Sequence, residues 1–424
     1  MTNYIMKPQQ ETEAPRYNLF GAEFKANPHP TYATMRAQQP ICRRTSSDGQ
    51  STIWFVTRYD DVAAMLRDHK RFVKNFRSTR TPAELAQLPP EPELLRLISN
   101  HMLNLDGVDH ARLRGLINKA FTGTMVEQME PRVQTIANQL IRKVYAKGQM
   151  DLIDEYAFPL PIIVIAELLG IPPRDRNRFR NWSHAFVTSS ANVQRSAKKL
   201  AKAGRIMQDF TRYLSRIFDE RRRDPQPDLI TSLLQTEEAG DRLSEDELFS
   251  MVILLIVAGH ETAANLIGNG VLALLQHPAQ MERLRTHPAL IPSAVEEMLR
   301  FDPPVERATI RFAAEDVAID GQTIRRGDVV SLVLAGANRD PAQFACPHAF
   351  TPDRANNRHL GFGLGAHYCL GAPLARLEGR IAIETLLHRL PNLRLAVPVE
   401  SLRWRTVPVI RGMLHMPVIW SSAE

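Results

Sequence analysis

A mainly α-helical chain with a minor β-rich side is predicted by three observations. Long stretches repeat apolar residues at the 3.6-residue period of a helix, at Val126 to Tyr145, Ala197 to Arg222, Glu245 to Leu275 and Leu370 to Leu390. Strand patterns are shorter and fewer. No Gly/Ser-rich or single-charge stretch divides the 424 residues, so one domain is expected over 21–424, behind a flexible arm over 1–20.

The β-rich side begins at Ile53 to Thr57, an extended apolar run. The segment Thr81 to Glu93 carries Pro82, Pro89, Pro90 and Pro92, which break helix and predict a loop, either an ordinary surface loop or a lid. Ser244-x-x-Glu247 has the form of a capping box, and the helix it opens is apolar on all faces, as expected of a helix that crosses the core. Val317 to Ile324 predicts a hairpin turning at Asp320-Gly321, followed by a strand over Val329 to Leu334.

Composition narrows the function classes. Lys and Arg exceed Asp and Glu, 53 against 46, for a net charge of +7, a balance that suits acidic partners of several kinds. No nucleic-acid module is present, and the arginine runs Arg43-Arg44 and Arg221 to Arg223 are short enough to be solvated helix ends. Cys42, Cys346 and Cys369 lack the spacing of a zinc site or a disulfide framework, which fits a reducing cytoplasm. Met1 to Asn18 has no apolar signal core, and the longest apolar run, Met251 to Ala258, is far shorter than the ~20 residues of a membrane span, so no membrane anchor is expected.

The most informative stretch runs from Phe362 to Gly371, with Cys369 just before a predicted helix. A sulfur there sees free backbone N–H groups and the positive end of the helix dipole, which favour the thiolate and hence metal ligation. Gly363, Gly365 and Gly371 allow positive φ and close approach to a flat ligand, and Pro373 suits the first helical turn. A phosphate loop is excluded, because the P-loop Lys-Ser/Thr and the dinucleotide glycine spacing are missing. Within the apolar helix, Glu261 and Thr262 are costly to bury unless bonded or functional, and Gly259 leaves room for a ligand beside the helix. For Thr262 the alternative is a hydroxyl bonded back to the carbonyl four residues earlier. A zinc peptidase is excluded because position 264 is Ala. His110 and Arg114, four residues apart, share a helix face able to hold a carboxylate.

At Phe362 to Arg376 the chain resembles the cytochrome P-450 superfamily, matching Phe-Gly-x-Gly-x-His-x-Cys-x-Gly and the following Leu-Ala-Arg at every fixed position. Further family motifs follow in order over Leu103 to Arg376. The resemblance implies a triangular fold with haem b, iron protoporphyrin IX, between the oxygen-side helix and the cysteine-ligand helix. Cys369 is the implied iron ligand, with Gly363 and Gly371 shaping its loop. The implied catalytic pair is Glu261 and Thr262, supplying protons to iron-bound dioxygen, although Ala263 stands where many relatives have a second threonine. His110, Arg114, Arg311 and His367 match the haem-propionate contacts, with Arg307 as a rival to Arg311. Glu297, Arg300 and Arg354 match the structural Glu-x-x-Arg support.

The implied activity is a monooxygenase that hydroxylates or epoxidises a small, largely apolar organic molecule. Its electrons would come from a ferredoxin and ferredoxin reductase, or a flavodoxin-type donor. The alternatives are a peroxide-driven peroxygenase and a non-enzymatic haem sensor. Arg112 and Lys119, on the far side of their helix from His110, are expected to face solvent, either steering an acidic ferredoxin or standing as solvated charges with no partner.

Overall fold

In a computed structural model the chain is mainly helical with small sheets, described over residues 17–45, 52–88, 99–175, 178–179, 182, 197–238 and 240–421. Seven helices position the site: α1 (Gly107–Ala120), α2 (Glu130–Val144), α3 (Pro159–Leu168), α4 (Ala197–Arg223), α5 (Glu245–Gln276), α6 (Ile291–Phe301) and α7 (Ala372–Arg389). The helix α5 is the axis of the core, packed by α3, α6 and α7. Its capping box forms as the spacing predicts, with Ser244 Oγ accepting from Glu247 N and the Glu247 carboxylate accepting from Ser244 N. By length and hydropathy α5 alone among the described helices could cross a bilayer, but its apolar surface is spent on the protein core.

The β side is a five-stranded sheet of β1 (Ile41–Thr45), β2 (Thr52–Val56), β3 (Phe72–Val73), β4 (Arg311–Ala313) and β5 (Val329–Leu332), in spatial order β1-β2-β5-β4-β3. All its pairings are antiparallel except β5 with β2, where Val330 lies opposite Trp54. The hairpin at Asp320-Gly321 forms, with φ of 52° and 73°, the left-handed pair that a tight two-residue turn requires.

Several boundaries differ from the sequence expectation. Val126 to Tyr145 is two helices, because Pro131 in the first turn of α2 has no N–H to continue the preceding helix Gly123–Gln128. Pro82 starts a short helix, Pro82–Ala86, rather than breaking one, since Thr81 and Glu84 close a capping box around it. Residues 89–93 of the expected loop lie outside the described residues, as do 1–16 of the expected arm. Leu19 is buried against Tyr32 and Phe55, and its carbonyl accepts from Arg307.

Candidate active site

The Cys369 loop is built by backbone. Gly363 and Gly365 have φ of 72° and 75°, and a Cβ on Gly365 would lie 2.8 Å from the Leu66 carbonyl, so only glycine lets the loop press on that neighbouring segment. Gly371 is a correction: its φ is −80° and nothing lies within 4 Å of where a Cβ would be, so neither positive φ nor crowding requires glycine. The Cys369 N–H donates to the Phe362 carbonyl at 3.0 Å, closing the loop. Burial pushes the thiol above its ordinary range, while the N–H groups of Gly371 and Ala372 and the charges of Arg114 and Arg376 pull the other way. Donors aimed at a half-buried sulfur are satisfied by a thiolate, and a bound metal cation is what stabilises one against the loss of solvent.

Beside this loop four expected residues come together. The His110 and His367 rings lie 4.2 Å apart, and Arg114 donates to the Tyr368 carbonyl at 2.9 Å. Burial, reinforced by His110, Lys74, Arg311 and Arg114, pushes His367 down to about 2. Arg311 is buried, and its recorded hydrogen bond is a long one, 3.5 Å, to Thr309 O. Burial pushes its guanidinium down to about 10. The rival Arg307 is committed elsewhere, donating to Tyr32 Oη, Leu19 O and Glu306. Sequence reading missed two members of this cluster, the buried ammonium of Lys74 and Asp106, whose carboxylate accepts from Lys74 N, Asn75 N and Ser78 Oγ. Buried cations with few anions among them fit a ligand that brings carboxylates, as a porphyrin with two propionates does.

On α5, Ala258 is exposed and Thr262 half-buried in the middle of a helix that is otherwise almost wholly buried, leaving a patch on which a ligand can lie. Thr262 Oγ1 donates to Ala258 O at 2.8 Å, the back-bond weighed as its alternative, with the hydroxyl still at that patch. The Cβ direction of Gly259 meets Ile165 of α3 at 3.4 Å, an ordinary van der Waals contact. Glu261 is buried, its Oε1 has no hydrogen-bond partner, and Arg405 Nη1 stands 3.4 Å from that atom. Burial raises the Glu261 carboxyl, and Arg405, which no motif announced, tempers the rise.

The support residues meet as expected. Glu297 is bonded by Arg300 at 2.7 and 2.8 Å and by Arg354 at 3.0 Å, and Arg300 also holds the carbonyls of Asn338, Pro347 and Ala349. Arg112 does not stand free to meet a partner. It donates to Glu247 in the first turn of α5 and, at 3.0 Å, to Asp241. Lys119 is exposed.

The sequence pattern of the family described as Cytochrome P-450 matches residues 178–393. The Vitamin D(3) 25-hydroxylase of Pseudonocardia autotrophica is 43% identical over 408 residues, covering 96% of this chain and 97% of its own. This chain belongs to the cytochrome P-450 family. The mycinamicin IV hydroxylase/epoxidase of Micromonospora griseorubida is 41% identical over 391 residues, 92% of this chain and 94% of that one. The solved structure of the bacillaene polyketide synthase P-450 PksS of Bacillus subtilis superposes with a TM-score of 0.87 at 38% identity, covering 96% of this chain and all of that one. The chain is thus a P-450 monooxygenase of the bacterial kind, acting on organic substrates, and the family implies a haem cofactor.

Proposed function

We propose that this P-450 hydroxylates or epoxidises a small, largely apolar organic molecule with haem b as its cofactor. The observation that carries the cofactor reading is the gathering of His110, His367 and Arg114 beside the half-buried Cys369, the two rings 4.2 Å apart and the guanidinium on the Tyr368 carbonyl. Haem supplies the iron at which dioxygen is activated. Cys369 is the residue to hold that iron, with Gly363 and Gly371 at the ends of its loop, and His110, Arg114, Arg311 and His367 are those to hold the propionates.

The protein's own work is positioning and proton handling. Burial keeps Glu261 inclined to hold its proton, and Arg405 keeps it able to release one. The Thr262 hydroxyl, whose proton rests on Ala258 O, can turn to donate toward the patch at the cost of one weak back-bond. Presence of this acid–alcohol pair favours a dioxygen-dependent monooxygenase over a peroxygenase or a sensor. Bacterial P-450s generally draw electrons from ferredoxin-type partners, and a ferredoxin with its reductase, or a flavodoxin-type donor, is the proposed source here. With Arg112 neutralised, its surface is not the proposed docking face. On this reading residues 21–424 act as one unit, proposed to work in the cytoplasm, since one core cluster joins Met102 to Trp420 and two others join segments near the N-terminus to Leu360 and Ala335.

Cys369→Ser tests the assignment. The reduced, CO-bound parent should show the long-wavelength Soret band of a thiolate ligand and the variant should lose it, because a hydroxyl donates less electron density than sulfur. Retention of that band in the variant would sink the ligand assignment.

A further inference from the structure

Glu261, Asn265 and Asn269 recur every four residues along α5 and so share one face of it, and they are 5, 3 and 2% exposed. The chain that covers this face is the segment from Arg403 to Leu414, which doubles back on itself, Leu414 N donating to Arg403 O at 2.8 Å and Arg405 N to Gly412 O at 2.9 Å. Arg405 Nη1 stands 3.4 Å from Glu261 Oε1, and a Cβ on Gly412 would overlap the Asn265 amide, which therefore rests on bare glycine backbone. Asn269 Nδ2 donates to the carbonyls of Arg411 and Asp302, each at 3.2 Å. Carbonyls only accept, so the amide nitrogen belongs on that side and Oδ1 is the acceptor left over.

Four buried atoms at this seam have no protein partner: Glu261 Oε1, Asn265 Nδ2, Asn269 Oδ1 and Arg405 Nε. An unpaired buried donor or acceptor is costly, and native proteins meet that cost with ordered water where several such atoms face one another. Two of the four are donors and two are acceptors. Successive members of the face are about 6 Å apart along the axis, four residues at ~1.5 Å each, and one water bonding on both sides at ~2.8 Å spans the same distance. A first water can accept from Arg405 Nε and donate to Glu261 Oε1. A second can accept from Asn265 Nδ2, donate to Asn269 Oδ1 and point its other hydrogen at the first, which satisfies all four atoms. We infer that a file of internal water lies between α5 and the Arg403–Leu414 segment, and that Glu261 is reprotonated through it, with Asn265 and Asn269 as positioning residues. Each proton that leaves the Glu261 carboxyl is replaced by one from the adjacent water, which is replenished from solvent. The Asn269 end leads outward, since it is bonded to Asp302, whose carboxylate meets His29 at 3.4 Å, and the His29 side chain is 11% exposed. That Glu261 supplies protons in turnover is the reading above, on which the reprotonation rests.

The test uses the holoenzyme with Asn265→Leu, which keeps the shape of the amide and removes its donor, and Asn265→Ser, which restores a hydroxyl. After transfer to D2O the infrared carboxyl stretch of Glu261, identified by its loss in Glu261→Gln, shifts as the proton exchanges. Exchange should be about fivefold slower or more in the Leu variant, the worth of one neutral hydrogen bond, and stay near the parent in the Ser variant. Product formed per NADPH should fall in the Leu variant and recover in the Ser variant. With a merely structural asparagine the outcome differs, because replacing an unpaired buried donor by a methyl group leaves exchange unchanged and holds or raises the urea midpoint. Parent-like exchange in Asn265→Leu overturns the inference. So does a high-resolution structure of the parent without ordered water bonded to Asn265 Nδ2 and Asn269 Oδ1, a result that stands whether or not the variants fold. Should exchange slow in Asn265→Leu while Glu261→Gln keeps the parent's coupling, the water file stands and the reading of Glu261 as the proton supplier is what fails.

Discussion

Glu297 and Lys74 are both charged and both buried, but their surroundings are opposite. Around Glu297 every partner is internal: Arg300 and Arg354 fork onto the carboxylate, Thr351 N adds a donor at 2.8 Å, and the remaining guanidinium donors end on backbone carbonyls. A second cluster is equally closed, with Lys25 bonded to Glu306 at 2.6 Å, Tyr32 and Arg307 on the same carboxylate, and Arg411 on Asp302. Around Lys74 cations outnumber anions and the side-chain hydrogen bonds end on neutral oxygens. Burial of charge alone therefore does not distinguish scaffold from site. Completeness of pairing does, because a closed network holds the fold and an open one awaits a ligand.

The sharpest way to break this comparison is to open the closed network. Glu297→Gln leaves Arg300 and Arg354 buried with weaker acceptors, and the expected loss is about 3–5 kcal/mol of stability. Urea unfolding of the holoenzyme measures it, and a variant within about 1 kcal/mol of the parent, less than a buried pair should cost, would remove the distinction.

A buried acid without any partner sharpens the comparison from the other side. Glu378 on α7 is buried with neither carboxylate oxygen bonded, and burial pushes it well above the carboxylate range. A folded pKa raised above the unfolded value of ~4.3 contributes stability that is complete below that pH and is lost as pH rises toward the folded pKa, at about 1.4 kcal/mol per pH unit. Glu378→Gln should therefore flatten the decline of stability between pH 5 and pH 8 and be the more stable protein at the upper end. Parallel pH–stability curves for the two proteins would show that Glu378 is partnered after all.

What could be read in the sequence was what is local in the chain. The capping box at Ser244, the hairpin at Asp320-Gly321, the His110–Arg114 face and the cysteine loop each lie within a few residues, where spacing translates directly into geometry. Lys74 and Arg405 act across 235 and 144 residues, on Thr309 and Glu261, and neither sits in a periodic pattern that would announce it. Glycines were readable only in part. Gly365 needs both its φ and its closeness to Leu66, whereas Gly371 needs neither, a difference set by neighbours distant in sequence.

Glu261 falls between the two kinds of cluster, and it yields the smallest and most specific prediction. Its carboxyl is buried with one unbonded oxygen, as in an open site, yet Arg405 at 3.4 Å gives it a partial counter-charge, as in a closed one. Burial raises its pKa and Arg405 lowers it, so Arg405→Gln removes the lowering influence and the carboxyl should hold its proton to higher pH. If Glu261 supplies protons in turnover, coupling of NADPH to product falls as pH rises through its pKa, and that fall should move upward in Arg405→Gln by a fraction of a pH unit to about one. Arg405→Lys, which restores a cation, should bring the midpoint back. The carboxyl stretch in infrared titration should follow the same order independently of turnover, with Glu261→Gln identifying the band. Should both the band and the coupling profile keep the parent midpoint in Arg405→Gln, the arginine does not govern the acid, and Glu261 belongs with Glu378 as a carboxyl controlled by burial alone.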